Sequence, residues 1–350
     1  MKIYIKYFIA ILFFAFTGIY FVNKLANPYM PKFLYFTPRG YKRSRYSSQR
    51  VYLSDGNYVY NYSFIDHRRN RQTFIWQLNK QLVDSMVRKF GIDWSLFTSR
   101  RFRARNRYEL RRKMQAFKNL QNRALRAGMF TRIGSNTIIP DHNAMVRNYM
   151  GLMRPVYNVF NNLANRYRLT LRERVELLLR FCQVIPYGIP PRKNSYGKHI
   201  GGILTPPQIF NYKWGDCDSK CVLFASIMAH DPRFRNRVIN MISVSGHMFL
   251  GLYIRRNAYD YVVNYRGRPL VVCEPVGIGR LPVGRRGSNR SMIKYIIPIV
   301  VSGGVNYTPP RNENRPTTRI RRRPETRRTP TRYPRPKPRT GKRGGLNSFF

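Results

Sequence analysis

Hydrophobic and polar positions alternate along residues 51–65, with Tyr58, Tyr60, Tyr62 and Phe64 on one side of the period. Asp55-Gly56-Asn57 interrupts the alternation, and that combination predicts a β-hairpin with a tight turn. The spacing then changes. Phe74, Ile75, Leu78, Leu82, Val83, Met86, Val87 and Phe90 recur three and four apart, which predicts an amphipathic helix over 73–90, closed by Gly91. A second helix is expected over 101–127, where Tyr108, Leu110, Met114, Phe117, Leu120 and Leu125 are scattered among arginines. Its basic side reads either as a solvated face or as a docking face for a polyanion. Residues 131–142 form a break, and helical spacing resumes over 143–167. Thr170 with Glu173 makes a capping box for a further helix that ends before Pro186.

The second half changes character. Residues 187–208 are rich in Gly and Pro and read as a long functional loop walling a cleft. A polar turn, Gly215-Asp216, then feeds the apolar run Val222 to Ala229, which predicts a helix with Asp216 as N-cap. Strand-like runs follow at 238–244, 248–254, 259–265 and 270–273, the last two joined by Arg266-Gly267-Arg268. Helices followed by an antiparallel sheet give an α+β class, with a helical N-terminal half beside a core in which one helix lies against the sheet.

The two ends stand apart from this pattern. Residues 8–22 are an uncharged apolar run flanked by Lys2, Lys6 and Lys24. This run predicts a membrane anchor or signal over 1–24, with an uncleaved signal anchor preferred and the folded part on the extracytoplasmic side. Residues 25–50 read as a basic linker, 51–165 as a hairpin plus helical region, 166–302 as the core domain, and 303–350 as an Arg/Pro-rich tail expected to be disordered.

Charge sharpens the view of partners. Lys and Arg number 65 against 15 Asp and Glu, a net charge of +50 over 350 residues. Such a chain attracts nucleic acid, anionic lipid or glycan. Fourteen of the basic residues fall between Arg311 and Arg343, so the tail is an expected contact for an anionic polymer. No nucleic-acid module signature is visible. Four cysteines are too few and too irregular for a disulfide scaffold.

Candidate chemistry gathers at three points. Cys217 opens the predicted helix, where unpaired N–H groups and the helix dipole favour a thiolate. His247 stands at the start of one apolar strand and Glu274 at the end of another. A thiol nucleophile needs a base, and the base needs a group to orient it. The three residues supply those roles in the order Cys, His, acid. The bland reading of Cys217 is a small buried residue. Cys221 lies one turn on and reads as core. Cys217, Cys221, His247 and Cys273 could instead form a Cys₃His zinc site, but the spacing inside a helix is poor for it, so no metal and no cofactor are expected. His67, His142, His199 and His230 show no partner pattern and read as surface or loop residues.

Trp214-Gly215-Asp216-Cys217-Asp218, then Gly246-His247, then Glu274-Pro275, resembles the transglutaminase-like (papain-like) cysteine enzyme superfamily, over roughly residues 170–284. The segment Phe181-Cys182-Gln183-Val184-Ile185-Pro186-Tyr187 is similar to the stretch that often precedes the cysteine loop in bacterial members. The resemblance implies a cysteine protease, another amide hydrolase or an acyltransferase using a Cys217-His247-Glu274 triad. It further implies that Gln183 and Trp214 help hold an oxyanion and that the substrate is a protein or peptide amide. Glu274 departs from the aspartate most members carry. That departure, with the basic tail, keeps open a second class of function: an inactive fold serving as a polyanion-binding or structural protein.

Overall fold

A computed structural model describes residues 47–98, 101–134, 137–235, 238–277, 280–287, 289 and 291–301. All of them belong to one compact unit, and they form an α+β fold. The apolar run at 8–22 and the Arg/Pro-rich tail lie outside the described residues.

The first sheet is antiparallel, in the order β1 (Ser47–Ser54), β2 (Asn57–Ile65), β3 (Arg71–Asn79). Ser54 pairs with Asn57, so the hairpin turns on Asp55 and Gly56 alone. Their φ values of 48° and 73° are both positive, as this two-residue turn requires. β3 replaces the first half of the helix expected over 73–90. Its burial alternates strictly, with Gln72, Phe74, Trp76 and Leu78 inward and Ile75 53% exposed. Pairing with β2 sets Tyr60 opposite Trp76 and Tyr62 opposite Phe74. Cross-strand aromatic pairs and a full ladder of backbone bonds outweigh the helical spacing, a tertiary effect that local periodicity does not carry. The helix begins only afterwards, as α1 (Lys80–Lys89), where the Asn79 side chain accepts from the Leu82 N–H.

Next comes α2 (Arg107–Ala127), capped by Asn106. The expected break beyond it contains a small antiparallel pair, β4 (Phe130–Ile133) and β5 (Thr137–Pro140). Three helices follow: α3 (His142–Met150), α4 (Arg154–Arg166) and α5 (Leu171–Val184). α5 opens with the Thr170–Glu173 capping box. A short α6 (Pro206–Tyr212) precedes α7 (Cys217–Met228). Phe181 of α5 and Phe210 of α6 pack on the aromatic face of the first sheet, with Trp76 and Phe210 centroids 4.8 Å apart and Tyr62 and Phe181 at 5.8 Å. The Tyr60 hydroxyl donates to Asn211 Oδ1 at 2.7 Å and the Tyr62 hydroxyl to the Phe210 carbonyl at 3.0 Å. These bonds spare the buried phenols an unpaired polar atom.

The second sheet is antiparallel throughout, in the order β10 (Ile293–Pro298), β6 (Ile239–Val244), β7 (His247–Leu252), β9 (Arg268–Cys273), β8 (Val262–Tyr265). β10 adds an edge strand beyond the four runs read from the sequence. α7 packs against β7, with α3 and α6 along its other sides. Every α7 residue except Asp218 is buried. A helix that is apolar nearly all round can satisfy its surface only in such a position. One continuous core runs from the first sheet through the helices to the inner face of the second sheet.

The expectation of a membrane-anchored protease is corrected here. None of the described helices is long and apolar enough to cross a membrane. The longest of them, α2, is rich in arginine, and α7, the most apolar, has only 12 residues. A pocket lined by Asn240, Tyr265, Arg266, Arg268, Leu270 and Pro298 includes none of the three chemistry-bearing residues.

Candidate active site

Asp216 builds the helix start on which Cys217 rides. Its carboxylate accepts from the Ser219 N–H at 3.1 Å and from the Ser219 hydroxyl. The Ser219 hydroxyl also takes the Leu204 N–H at 2.8 Å, tying the loop before α6 to the same cap. On the other side, Gly215 donates to the Pro186 carbonyl at 3.1 Å, so the segment after α5 lies beside the cysteine loop. These bonds fix the height and direction of α7 where it meets β7.

His247 and Glu274 are brought together directly. His247 Nε2 and Glu274 Oε2 are 2.8 Å apart. β7 and β9 are neighbours, with Leu250 opposite Cys273. One step further along this register sets Glu274 beside Phe249, diagonal to His247, a separation that a long side chain spans. The pairing leaves Nδ1 of His247 as the nitrogen available to a thiol. Cys217 reaches the same strand end, where the backbone N–H of Met248, the residue after His247, is near enough to favour its thiolate. Its exposure is 8%, whereas Cys182, Cys221 and Cys273 are fully buried.

The electrostatics of the thiol run against the expectation from its helix position. Burial raises the Cys217 pKa well above the ordinary value, the charges of Asp218 and Asp216 push it further, and the Met248 N–H opposes them. The thiol also donates to Asp218 Oδ1 at 3.3 Å. Cys217 is therefore a neutral thiol at rest. His247 is shifted the other way from its burial. Desolvation lowers its pKa, but the hydrogen bond and charge of Glu274, with Asp218 beyond, win and raise it. An imidazole so placed is a stronger base for a neighbouring proton.

The two residues named as oxyanion helpers have different situations. Gln183 spends its side-chain N–H groups on the carbonyls of Glu274 at 2.8 Å and Leu281 at 2.7 Å, and its oxygen accepts from Arg180 at 2.9 Å. It holds the acid-bearing segment to α5 and has no donor to spare for an oxyanion. Trp214 is buried and stacked on Tyr212 at 5.5 Å, and its indole N–H has no partner among the described residues.

Three residues beside the candidate site were not singled out for chemistry in the sequence. Asp218 was only part of a motif, yet it is the carboxylate nearest the thiol. Lys220 is 1% exposed, and its ammonium donates to the Ile185 carbonyl. Burial lowers its pKa to about 8 against the fields of Cys182, Asp216, Cys217 and Glu274. Its position one turn after Cys217 was the available signal. His142, expected on the surface, is 2% exposed at the start of α3, with both ring nitrogens unpartnered among the described residues. Burial lowers its pKa, while Asp218 and Asp141 oppose that shift. Among the described residues, the ligand atoms of Asp216, Cys217 and Asp218 lie within 4.8 Å of one another, and Cys221, His247 and Cys273 do not join them, so the Cys₃His set is not brought together.

No family model, no curated protein and no solved structure matches the chain.

Proposed function

We propose that the protein is a thiol-dependent acyl-transfer enzyme acting on an amide-type carbonyl, in the manner of a transglutaminase-like fold. The single observation that carries this reading is the 2.8 Å bond between His247 Nε2 and Glu274 Oε2, at the strand end beside which Cys217 lies. Glu274 orients the imidazole and stabilises its protonated form, leaving Nδ1 to face the nucleophile. As the Cys217 sulfur bonds to the carbonyl carbon, its proton passes to His247 and the carbonyl electron pair moves onto oxygen. The intermediate collapses, the C–N bond breaks, and the leaving amine takes the proton from His247. The thioester is then attacked by water or by a second amine, whose proton His247 accepts, and the thiol departs with that proton. The donors we assign to the developing oxyanion are the first-turn N–H groups of α7 and the Trp214 indole N–H, which is buried without a partner among the described residues.

The test is alkylation of the full-length protein by iodoacetamide at neutral pH, read site by site by mass spectrometry. Cys217 reacts in the wild type, and His247→Ala slows that reaction at least tenfold with an unchanged melting temperature. An unchanged rate in His247→Ala would overturn the proposal, since exposure alone would then explain the labelling. A second reading, a binding protein without this chemistry, draws on the neutral resting state of the thiol beside Asp216 and Asp218. It predicts that same unchanged rate.

A further inference from the structure

α2 projects one strongly charged face that the site does not use. At about 100° per residue, Arg107, Arg111, Arg112, Lys118, Arg123 and Arg126 fall on one half of the helix. Gln115, Asn119 and Asn122 lie between them. All six basic side chains are exposed, and none is in an ion pair among the described residues. The one acid of the helix, Glu109, lies outside that half and is neutralised by Lys113 at 2.7 Å.

The opposite side holds the helix to the body. Phe117 meets Phe102 at 5.5 Å between centroids and the Gln121 amide donates to the Leu96 carbonyl at 2.7 Å, while the buried Leu125 sits at the margin of the basic half. Elsewhere on this basic chain several arginines are spoken for: Arg172 by Asp260, Arg68 by Glu173, Arg233 by Asp231. On α2 the uncompensated charge is gathered and aimed outward.

We infer that this face of α2 binds double-stranded DNA along the phosphate backbone of its major groove. Charge complementarity selects a polyanion. Shape and chemistry select the duplex. A helix about 10–12 Å across fits a groove about 12 Å wide. Basic side chains with Gln and Asn between them suit phosphates flanking base edges. A lipid surface would need several apolar side chains on the outward side, and between Arg107 and Arg126 the basic half offers a single exposed one, Tyr108, with Met114 just beyond its margin.

The experiment measures binding of the full-length protein to a mixed-sequence 20-base-pair DNA duplex, by fluorescence anisotropy across a salt series. The α2 variant is Arg107→Gln, Arg111→Gln, Lys118→Gln and Arg126→Gln together. The control is Arg255→Gln, Arg256→Gln, Arg266→Gln and Arg268→Gln, which removes equal charge from other exposed positions. The expected result is an affinity at least tenfold weaker for the α2 variant than for the control, with the salt slope smaller by about 3–4. Both variants should melt with wild type. Equal weakening in both, or none in either, would overturn the inference, because net charge or another segment would then carry the binding. Tighter binding to an RNA duplex, or an α2-dependent loss seen only with vesicles of phosphatidylserine and phosphatidylcholine, would overturn it as well.

Discussion

The Gln183 side-chain amide donates to the backbone carbonyl of Glu274 at 2.8 Å, while the Glu274 carboxylate holds His247 Nε2 at the same distance. One helix residue thus anchors the main chain of the acid whose side chain aims the base. The bond from Gln183 to the Leu281 carbonyl closes the far side of the same loop. Gln183 is a positioning residue in the proposed chemistry.

Gln183→Ala leaves the buried Glu274 carbonyl and the part-buried Leu281 carbonyl without this donor and should cost about 1–3 kcal/mol of stability. His247-dependent alkylation of Cys217 should fall severalfold below the melting transition. Gln183→Glu should fail to restore it, because a carboxylate supplies no donor to either carbonyl. Thermal melts and alkylation rates on the same preparations separate the two effects. A loss of stability with no change in rate would confine Gln183 to a structural role.

The pH dependence of alkylation follows from the thiol. Burial, Asp218 and Asp216 hold Cys217 protonated, so its reaction with iodoacetamide should rise steadily from pH 7 to 9 and show no plateau. Asp218→Asn removes a neighbouring negative charge and a partner of the thiol. It should raise the rate at pH 7 by about threefold to tenfold, in line with a shift of up to one pKa unit. A flat profile would mean that the thiol is already ionised beside His247.

Stability should depend on pH in a direction unusual for a carboxylate. Burial and the charge of Asp218 raise the Asp216 pKa to about 7, against about 3.9 in an unfolded chain. The folded state therefore binds more protons than the unfolded state between those values, and stability falls as pH rises through that window. His247 acts in the same sense at higher pH. Its folded pKa is raised, so its contribution is complete below about 6.5 and is lost as pH rises through the folded value. Asp216→Asn keeps a capping side chain and should flatten the slope between pH 4 and 7. Chemical denaturation at several pH values measures it.

The first hairpin offers a test independent of the chemistry. Gly56 has φ of 73° in a two-residue turn. Gly56→Ala forces a Cβ into the left-handed region and should destabilise by about 1–2 kcal/mol. Added space is not at issue, since nothing lies within 4 Å of the new Cβ. The melting temperature should drop by about 2–8 °C, with the alkylation rate of Cys217 unchanged.

Local chemistry alone determined several parts of this protein. Asp55-Gly56 between alternating runs specified its hairpin, because the turn's backbone angles depend on those two residues and their strands. Thr170 and Glu173 announced the start of α5, and Asp216 the start of α7, because a cap is made within four residues. Residue type and order made Cys217, His247 and Glu274 candidates, and of these the structure brings His247 and Glu274 to 2.8 Å. Only the tertiary structure decided the rest. It made 71–79 a strand, because Trp76 and Phe74 meet Tyr60 and Tyr62 across a register no local window contains. It turned Gln183 toward the carbonyls of Glu274 and Leu281, partners some ninety residues away along the chain. It also decided the state of the thiol. A helix N-terminus by itself favours the thiolate, but the packing of α7 excludes water and sets Asp216 and Asp218 beside the sulfur, and desolvation with like charge outweighs the dipole.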